Sequence, residues 1–208
     1  QEIAVYMRKR LDYIAERETL SRFVGLPPNT ADGIKVDLFG NIGTPEDAER
    51  VAEHDGEGIG LFRTEFLFMD RNSAPGENEQ FEAYKKALLM MKGNQVIIRT
   101  LDIGGDKDIP YMGLEKEENP FLGFRAVRYC LKHSELFLSQ LRALVRASSY
   151  GNLAIMIPLI TGIEEYRKVK AIITGIMREF DKQEIPYDKN LKIGVMVETP
   201  AAAVCADI

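Results

Sequence analysis

The feature that most constrains this chain is a regular alternation of short apolar runs with helical segments, which begins at Ile34. The runs are nearly continuous in Val, Ile, Leu and Met, as in strands that are buried on both faces of a parallel sheet. Such alternation is the sequence signature of parallel α/β architecture. Five strands are predicted, over residues 34–41, 58–63, 95–100, 153–160 and 191–198.

Helices are predicted before and between these strands. In the second of them, Thr44 has the side chain of a helix cap and Pro45 suits the first helical position. The first helix has an amphipathic pattern and is expected to pack one face on a neighbour. The predicted helices cover residues 2–23, 44–53, 77–91, 123–148 and 162–182.

The chain divides into two unequal parts. A glycine and two prolines at residues 25–29 break the first helix. Residues 1–33 are therefore predicted to form an N-terminal linker helix and turn, and residues 34–208 a larger domain. The first residues show neither an initiator methionine nor a signal peptide, so the sequence is expected to be cut from a longer protein.

Two α/β layouts compete for residues 34–208, an open doubly wound sheet and a closed (β/α)8 barrel. No predicted strand is followed by the glycine pattern of a dinucleotide-binding turn or of a P-loop. A barrel needs eight strands and about 250 residues. The sequence therefore predicts a TIM-type barrel that is truncated after about five strands.

Charge and composition exclude several classes of partner. Lys and Arg number 27 against 32 Asp and Glu, a formal net charge of −5. Nucleic acid is not expected, because its phosphate backbone requires a broad basic surface. Membrane insertion is not expected, because the apolar runs fall far short of the roughly 20 residues that span a bilayer. The cysteines fit neither a disulfide framework nor a zinc site, so a reducing cytoplasm is the expected location.

Three of the predicted strands end in a charged residue. Arg63 and Arg99 end the second and third strands, and Glu198 ends the fifth. The carboxyl ends of barrel strands commonly carry the active site. Two arginines would bind a phosphate or carboxylate bidentately, and a nearby carboxylate would hold Mg²⁺ that bridges the phosphate. The alternative is a buried ion network in which the arginines pair with Glu65, Asp102 or Glu198.

The segments after the third strand offer further candidates. Gly104 and Gly105 permit a close backbone approach to a ligand, although a glycine pair is also a common turn. The long connection over residues 110–124 has the length of a functional loop. It leads to Arg125, which either reaches the same site or lies on the surface as the first residue of a helix.

The remaining reactive side chains give weaker signals. His54 and His133 have no Cys or His neighbours at the spacing of a metal site, so both are expected to be exposed, His54 near a helix end and His133 within a helix. Cys130 and Cys205 lie in helix-like segments and are expected to be packed thiols rather than nucleophiles.

Four blocks of sequence resemble the Enzyme I family of the bacterial sugar phosphotransferase system, in the order in which that family has them. Together they extend the resemblance over the whole chain. The blocks are GIGLFRTEFLFM at residues 58–69, RTLDIGGDK at 99–107, ENPFLGFRA at 118–126 and GVMVETPAA at 194–202.

The resemblance implies a phosphoenolpyruvate–protein phosphotransferase with a dimeric (β/α)8 domain that binds phosphoenolpyruvate and Mg²⁺. The phosphoryl group would pass to a histidine on another domain and then to a histidine phosphocarrier protein. By position in the blocks, Arg63 and Arg99 would hold the phosphate, Arg125 would lie close by, and Glu198 would be one of two magnesium carboxylates.

Other parts of the family pattern are missing from this sequence. They are the phosphohistidine domain, the block with the second metal carboxylate, a further substrate arginine and the block with the acid cysteine. No catalytic role is therefore transferred to the histidines or cysteines present. These 208 residues are expected to be inactive alone and to associate as a dimer or larger. The alternatives are a related phosphoenolpyruvate-utilising enzyme, such as pyruvate phosphate dikinase or phosphoenolpyruvate synthase, and a non-catalytic dimerisation module.

Overall fold

A computed structural model describes residues 2–104, 109–114, 117–119 and 123–208. After a long first helix, strands and helices alternate along the described chain. The helices are α1 (Glu2–Ser21), α2 (Asp47–Glu53), α3 (Glu77–Met90), α4 (Ala126–Lys132), α5 (Ser134–Ala147), α6 (Ile163–Gln183) and α7 (Pro200–Val204). The strands are β1 (Phe39–Ile42), β2 (Gly58–Arg63), β3 (Gln95–Arg99), β4 (Leu153–Ile157) and β5 (Lys192–Val195).

The five strands form one parallel sheet in the order β1-β2-β3-β4-β5. This sequential order differs from a doubly wound sheet, in which the strand order reverses at a switch point. The parallel α/β class and the five strands predicted from the sequence are confirmed. Because every strand runs the same way, all five carboxyl ends lie along a single edge of the sheet.

One face of the sheet carries the core. Val96, Ile98 and Ile155 are buried on this face beneath the helix layer, in which α3 packs against α5 and α5 against α6. On the opposite face, Ile97 and Met156 are only half-buried. The second face is therefore only partly covered by the described residues.

Several element ends differ from the sequence prediction. β4 stops at Ile157, since the following Pro158 has no N–H for the ladder. The α2 helix begins at Asp47 rather than at a Thr44 cap. The carboxylate of Asp47 instead reaches back to accept the backbone N–H groups of Gly43 at 3.1 Å and Thr44 at 3.0 Å.

The single helix predicted over residues 123–148 is wrong. The backbone of His133 leaves the helical region at φ −102° and ψ 66°, and it separates α4 from α5. The His133 ring stacks on Tyr129, with 4.0 Å between the ring centroids. The break lets α5 turn its own apolar stripe, which includes Phe137, Leu141 and Leu144, into the core.

The α1 helix is formed as predicted, but none of its residues is buried. Apolar side chains such as Ile3 and Leu11 remain 78% and 66% exposed, so the predicted packing against a neighbour is absent within the described chain. The segment after α1 turns at Gly25, which has φ +84° and donates its N–H to the Asp55 carboxylate. The boundary between residues 1–33 and 34–208 stays a prediction.

No helix among the described residues is long and apolar enough to cross a membrane.

Candidate functional site

The strand ends bring the predicted arginines together. Arg63 at the end of β2 and Arg99 at the end of β3 are register partners in adjacent strands. Arg99 is in turn the partner of Met156 in β4, and Met156 is the partner of Gly194 in β5. Register partners point to the same side of a sheet. Both arginines therefore lie in one row at the carboxyl edge, on the face that the helices leave uncovered.

Arg99 is held by two carboxylates. Its Nη2 lies 2.7 Å from Glu65 Oε1, and its Nη1 lies 2.9 Å from Asp102 Oδ2. Nη1 also lies 3.7 Å from the Sδ atom of Met196, just beyond β5. Arg99 is only 7% exposed and Glu65 only 3%. Burying either charge alone would destabilise the fold, and the ion pair offsets this desolvation cost.

Arg125 joins the same cluster through Asp102. Its Nε and Nη2 atoms lie 3.2 Å and 2.9 Å from Asp102 Oδ1, so this one carboxylate bridges Arg99 and Arg125. Gly104 permits the approach, because a Cβ at that position would collide with the Cβ of Arg125. Arg125 is 6% exposed, which excludes the alternative of a surface arginine.

Arg63 is bound differently from the other two arginines. Its guanidinium lies 4.7 Å from the centre of the Phe66 ring, and it forms no ion pair with a described residue. Its Nε atom is buried and makes no hydrogen bond within the described chain. The ring orients the cation while its N–H groups remain available for an anion.

Buried polar atoms without hydrogen-bond partners gather at this edge. In the described part of the chain they include Arg63 Nε and Arg99 Nε at the ends of β2 and β3, and also Thr100 Oγ1, which by strand alternation lies on the core side. Buried polar groups in folded proteins nearly always have partners, so such a group needs an explanation. The two arginine atoms lie at one edge, which is the arrangement expected where a polar ligand completes the hydrogen bonding.

The alternative interpretation of the strand-end charges is confirmed for Arg99, and the site interpretation stays a prediction. Arg99 belongs to the buried ion network that the alternative predicted, with Glu65 and Asp102 as its partners. Arg63 stands outside that network.

Glu198 lies just beyond β5 and is exposed. Its Oε1 accepts the backbone N–H of Leu159 at 2.7 Å, which ties the segment after β5 to the segment after β4. The described residues contain no group of three acidic, His or Cys side chains that would hold a metal ion. The role of Glu198 as a magnesium ligand therefore stays a prediction.

Sequence reasoning missed a buried polar network that supports the strand ends. Gln140 on α5 donates from Nε2 to Thr64 Oγ1 at 3.1 Å and to the Tyr84 hydroxyl at 3.2 Å. Its Oε1 accepts the N–H of Leu101 at 2.9 Å. The available signal was the place of Gln140 between apolar residues on the buried face of a helix with strong amphipathic spacing.

The histidines take no part in the described cluster. His54 closes α2, and its Nδ1 lies 2.7 Å from the carbonyl oxygen of Arg50, close to the predicted helix end. It is exposed, as expected. His133, which was predicted to lie within a helix, is exposed at the break between α4 and α5.

The two cysteines differ from one another. Cys130 is a packed thiol, as expected, and burial raises its pKa well above the ordinary value. Cys205 is exposed, so the prediction that it is packed is wrong. It follows the short helix α7, none of whose residues is buried.

Some predicted candidates lie outside the described residues. They are Gly105, Asp106 and Lys107 in the glycine segment, together with residues 115–116 and 120–122 of the long connection. Their part in the site stays a prediction.

The fold and the cluster define a class: a parallel α/β domain with buried arginines and carboxylates gathered at the carboxyl edge of its sheet. A family model described as "PEP-utilising enzyme, PEP-binding domain" matches residues 17–208. The chain belongs to this family of phosphoenolpyruvate-binding domains.

Curated relatives agree with the family. The chain is 50% identical over 205 residues to the phosphoenolpyruvate-protein phosphotransferase of Geobacillus stearothermophilus, covering 99% of the chain and 36% of that protein. It is 48% identical over 206 residues to the protein of that name from Staphylococcus carnosus (strain TM300), covering 99% of the chain and 36% of that protein. It is 47% identical over 207 residues to the protein of that name from Bacillus subtilis (strain 168), covering 100% of the chain and 36% of that protein. The resemblance predicted from the four blocks is confirmed, and the chain spans about a third of the length of these relatives.

Proposed function

We propose that the chain is the phosphoenolpyruvate-binding part of a phosphoenolpyruvate–protein phosphotransferase. The observation that carries the proposal is the pair Arg63 and Arg99, which are register partners at the carboxyl edge and have buried N–H groups without partners in the described chain. Phosphoenolpyruvate presents a phosphate and a carboxylate, and the planar fork of arginine matches both. Family membership and the relatives support the same substrate.

The roles of the side chains follow from their surroundings. Arg63 would make the more direct contact with the phosphate, because no described carboxylate neutralises it. Arg99 would present its Nε edge, since Glu65 and Asp102 already hold its terminal nitrogens. Arg125 would add positive charge on the far side of Asp102 from Arg99, since it pairs with the other oxygen of that carboxylate. Phosphoryl transfer depends mostly on positioning and on charge neutralisation by several groups at once, which this cluster would provide.

The proposal includes Mg²⁺ and the barrel. Glu198 would supply one carboxylate, and phosphate oxygens, water and groups beyond those described would supply the remaining octahedral positions. The sequential strand order and the uncovered face suit a sheet that curves toward a closed (β/α)8 barrel. Both β1 and β5 are edge strands in the described sheet, where further strands would pair.

Partners and location are also part of the proposal. The phosphoryl group would pass to a histidine elsewhere in the protein and then to a histidine phosphocarrier protein in the cytoplasm. A homodimer or larger assembly would cover apolar side chains such as Ile3 and Leu11 of α1 and Val197 beyond β5. Light scattering tests the assembly, and a monodisperse monomer would contradict it.

The decisive experiment is calorimetric titration of phosphoenolpyruvate with Mg²⁺. It uses the 208-residue chain and, in parallel, the full-length protein that carries it. Arg63→Ala is the sharpest variant, because it breaks no described ion pair and should leave the fold intact. A hydrogen bond to a charged group is worth about 1.5–3 kcal/mol, so its affinity should fall roughly 10- to 100-fold.

Two further variants complete the test. Arg63→Lys keeps the charge and loses the fork, so it should bind better than Arg63→Ala and worse than the unsubstituted protein. Arg178→Ala removes an exposed arginine of α6 and serves as the matched control. Binding by the full-length protein alone would show that the site needs residues beyond this chain. If neither protein binds, the site assignment is wrong and a non-catalytic dimerisation module becomes the better interpretation.

A further inference from the structure

A single buried side chain connects the ends of the two strands that carry Arg63 and Arg99. Gln140 is fully buried on α5 and lies within hydrogen-bond distance of residues from both strand ends. Thr64 directly follows Arg63, and Leu101 lies two residues after Arg99. Through Thr64, whose Oγ1 donates to the carbonyl oxygen of Arg99 at 2.9 Å, the connection reaches the backbone of Arg99 itself.

These hydrogen bonds begin where those of the sheet end. The N–H of Thr100 donates to the Met156 carbonyl at 2.9 Å, which continues the ladder one residue past β3. The next donor, Leu101 N–H, is taken by Gln140 rather than by a strand. The amide therefore fixes the backbone at the point where the arginine side chains leave the sheet.

The rest of the network holds the amide in place. The Tyr84 hydroxyl accepts from Gln140 Nε2 and donates to Gln80 Oε1 at 3.0 Å, and Gln80 Nε2 donates to the Pro75 carbonyl at 2.9 Å. Burial raises the pKa of Tyr84, so its hydroxyl stays protonated and available as this donor. Gln140 thus has both Nε2 donors and its Oε1 acceptor engaged, which fixes the orientation of the amide.

We propose that Gln140 is a positioning residue that sets the separation and direction of Arg63 and Arg99 through Thr64 and Leu101. The inference rests on the proposed function, since its effect is read in phosphoenolpyruvate binding. Displacing a binding group by about 1 Å can cost on the order of 100-fold in rate, so loosening these strand ends should weaken binding although Gln140 touches no ligand.

The test compares two glutamines of the same network in the full-length protein. Gln140→Met keeps the side-chain length and removes every hydrogen bond to the strand ends. Gln80→Met makes the same change at an equally buried position whose bonds go to Tyr84 and Pro75 instead. Calorimetric phosphoenolpyruvate affinity should fall about tenfold in Gln140→Met and by less than about twofold in Gln80→Met, at similar losses of thermal stability.

Two more variants separate positioning from general destabilisation. Thr64→Val removes the link to the Arg99 carbonyl with almost no change of shape, so it should also weaken binding and should fold even where Gln140→Met does not. Gln140→Glu should bind phosphoenolpyruvate much more weakly than the unsubstituted protein at about pH 8. At about pH 6 this difference in affinity should become smaller. Burial raises the pKa of a carboxyl group, and the neutral acid regains one donor and one acceptor.

The possible failures are distinguishable. Unchanged affinity in Gln140→Met and Thr64→Val, or an equal loss in Gln80→Met, overturns the positioning role and leaves the proposed function standing. Absence of binding by the unsubstituted protein, or an Arg63→Ala variant that binds normally, rejects the proposed function and the positioning role with it.

Discussion

Asp102 should be the most sensitive carboxylate of the cluster, because it bridges two buried arginines. Asp102→Asn preserves the shape of the side chain and removes its charge. Among the described residues, the carboxylate receives close N–H contacts from Arg99 Nη1 at 2.9 Å and from Arg125 Nε and Nη2 at 3.2 Å and 2.9 Å. Both arginines are less than a tenth exposed, so water cannot replace the lost charge.

The magnitude follows from these contacts. Removing one partner of a buried ion pair costs about 3–5 kcal/mol. The asparagine oxygen still accepts one hydrogen bond, and Glu65 still pairs with Arg99, so the expected loss is about 2–3 kcal/mol. A domain of ordinary stability, about 5–15 kcal/mol, would remain folded.

Urea denaturation followed by circular dichroism measures this loss. The midpoint should move to lower urea while the slope m stays constant, because the surface exposed on unfolding is unchanged. Asp181→Asn is the control, since it breaks an exposed ion pair with Lys189 and should barely move the midpoint. The reasoning is refuted if Asp102→Asn shifts the midpoint no more than Asp181→Asn does.

Two further predictions concern groups away from the cluster. Cys205 should react rapidly with a thiol reagent in the native protein, whereas Cys130 should react only on unfolding, because burial raises its pKa and excludes the reagent; two equally fast thiols in a spectroscopic assay would contradict this. The pKa of Asp47 is lowered by its hydrogen bonds from the backbone N–H of Thr44 and, to a smaller extent, of Gly43. The stability that the ionised Asp47 adds to the fold is therefore complete above the unfolded pKa of about 3.9, and it is lost as the pH falls through the lower folded pKa. Asp47→Ala should therefore cost about 1 kcal/mol near neutral pH and less below about pH 3, and a cost independent of pH would exclude this role.

The sequence predicted the parallel α/β class because buried strands and amphipathic helices have different periods of apolar residues. All five strands overlap the predicted ranges, although β1 begins at Phe39 rather than at Ile34. The sequence prediction failed at element boundaries, where local contacts and backbone conformation decide where a helix begins or ends. At the start of α2, the helix begins at Asp47, whose carboxylate accepts the N–H groups of Gly43 and Thr44, rather than at the predicted Thr44 cap. The backbone of His133 divided a stretch whose propensity was helical throughout.

The site divides in the same way between sequence and structure. Strand-end position alone was enough to select Arg63 and Arg99, since a charge at the end of a buried strand must be paired or face a site. Sequence could not tell which arginine is paired, because Glu65 lies two residues after Arg63 and Asp102 three residues after Arg99, so position along the chain alone would give each arginine its own carboxylate. The structure separates Arg99, which is held by both carboxylates, from Arg63, which rests on Phe66.

What the sequence alone determined is therefore the class of fold, the edge at which the functional groups lie and the family, because these depend on periodicity and on local blocks of residues. Only the tertiary structure decided the register that sets Arg63 beside Arg99, the bridging role of Asp102 and the connection through Gln140. Gln140 lies 76 residues from Thr64 and 39 from Leu101. Contacts over such separations arise when helices pack on a sheet, and no local pattern in the chain specifies them.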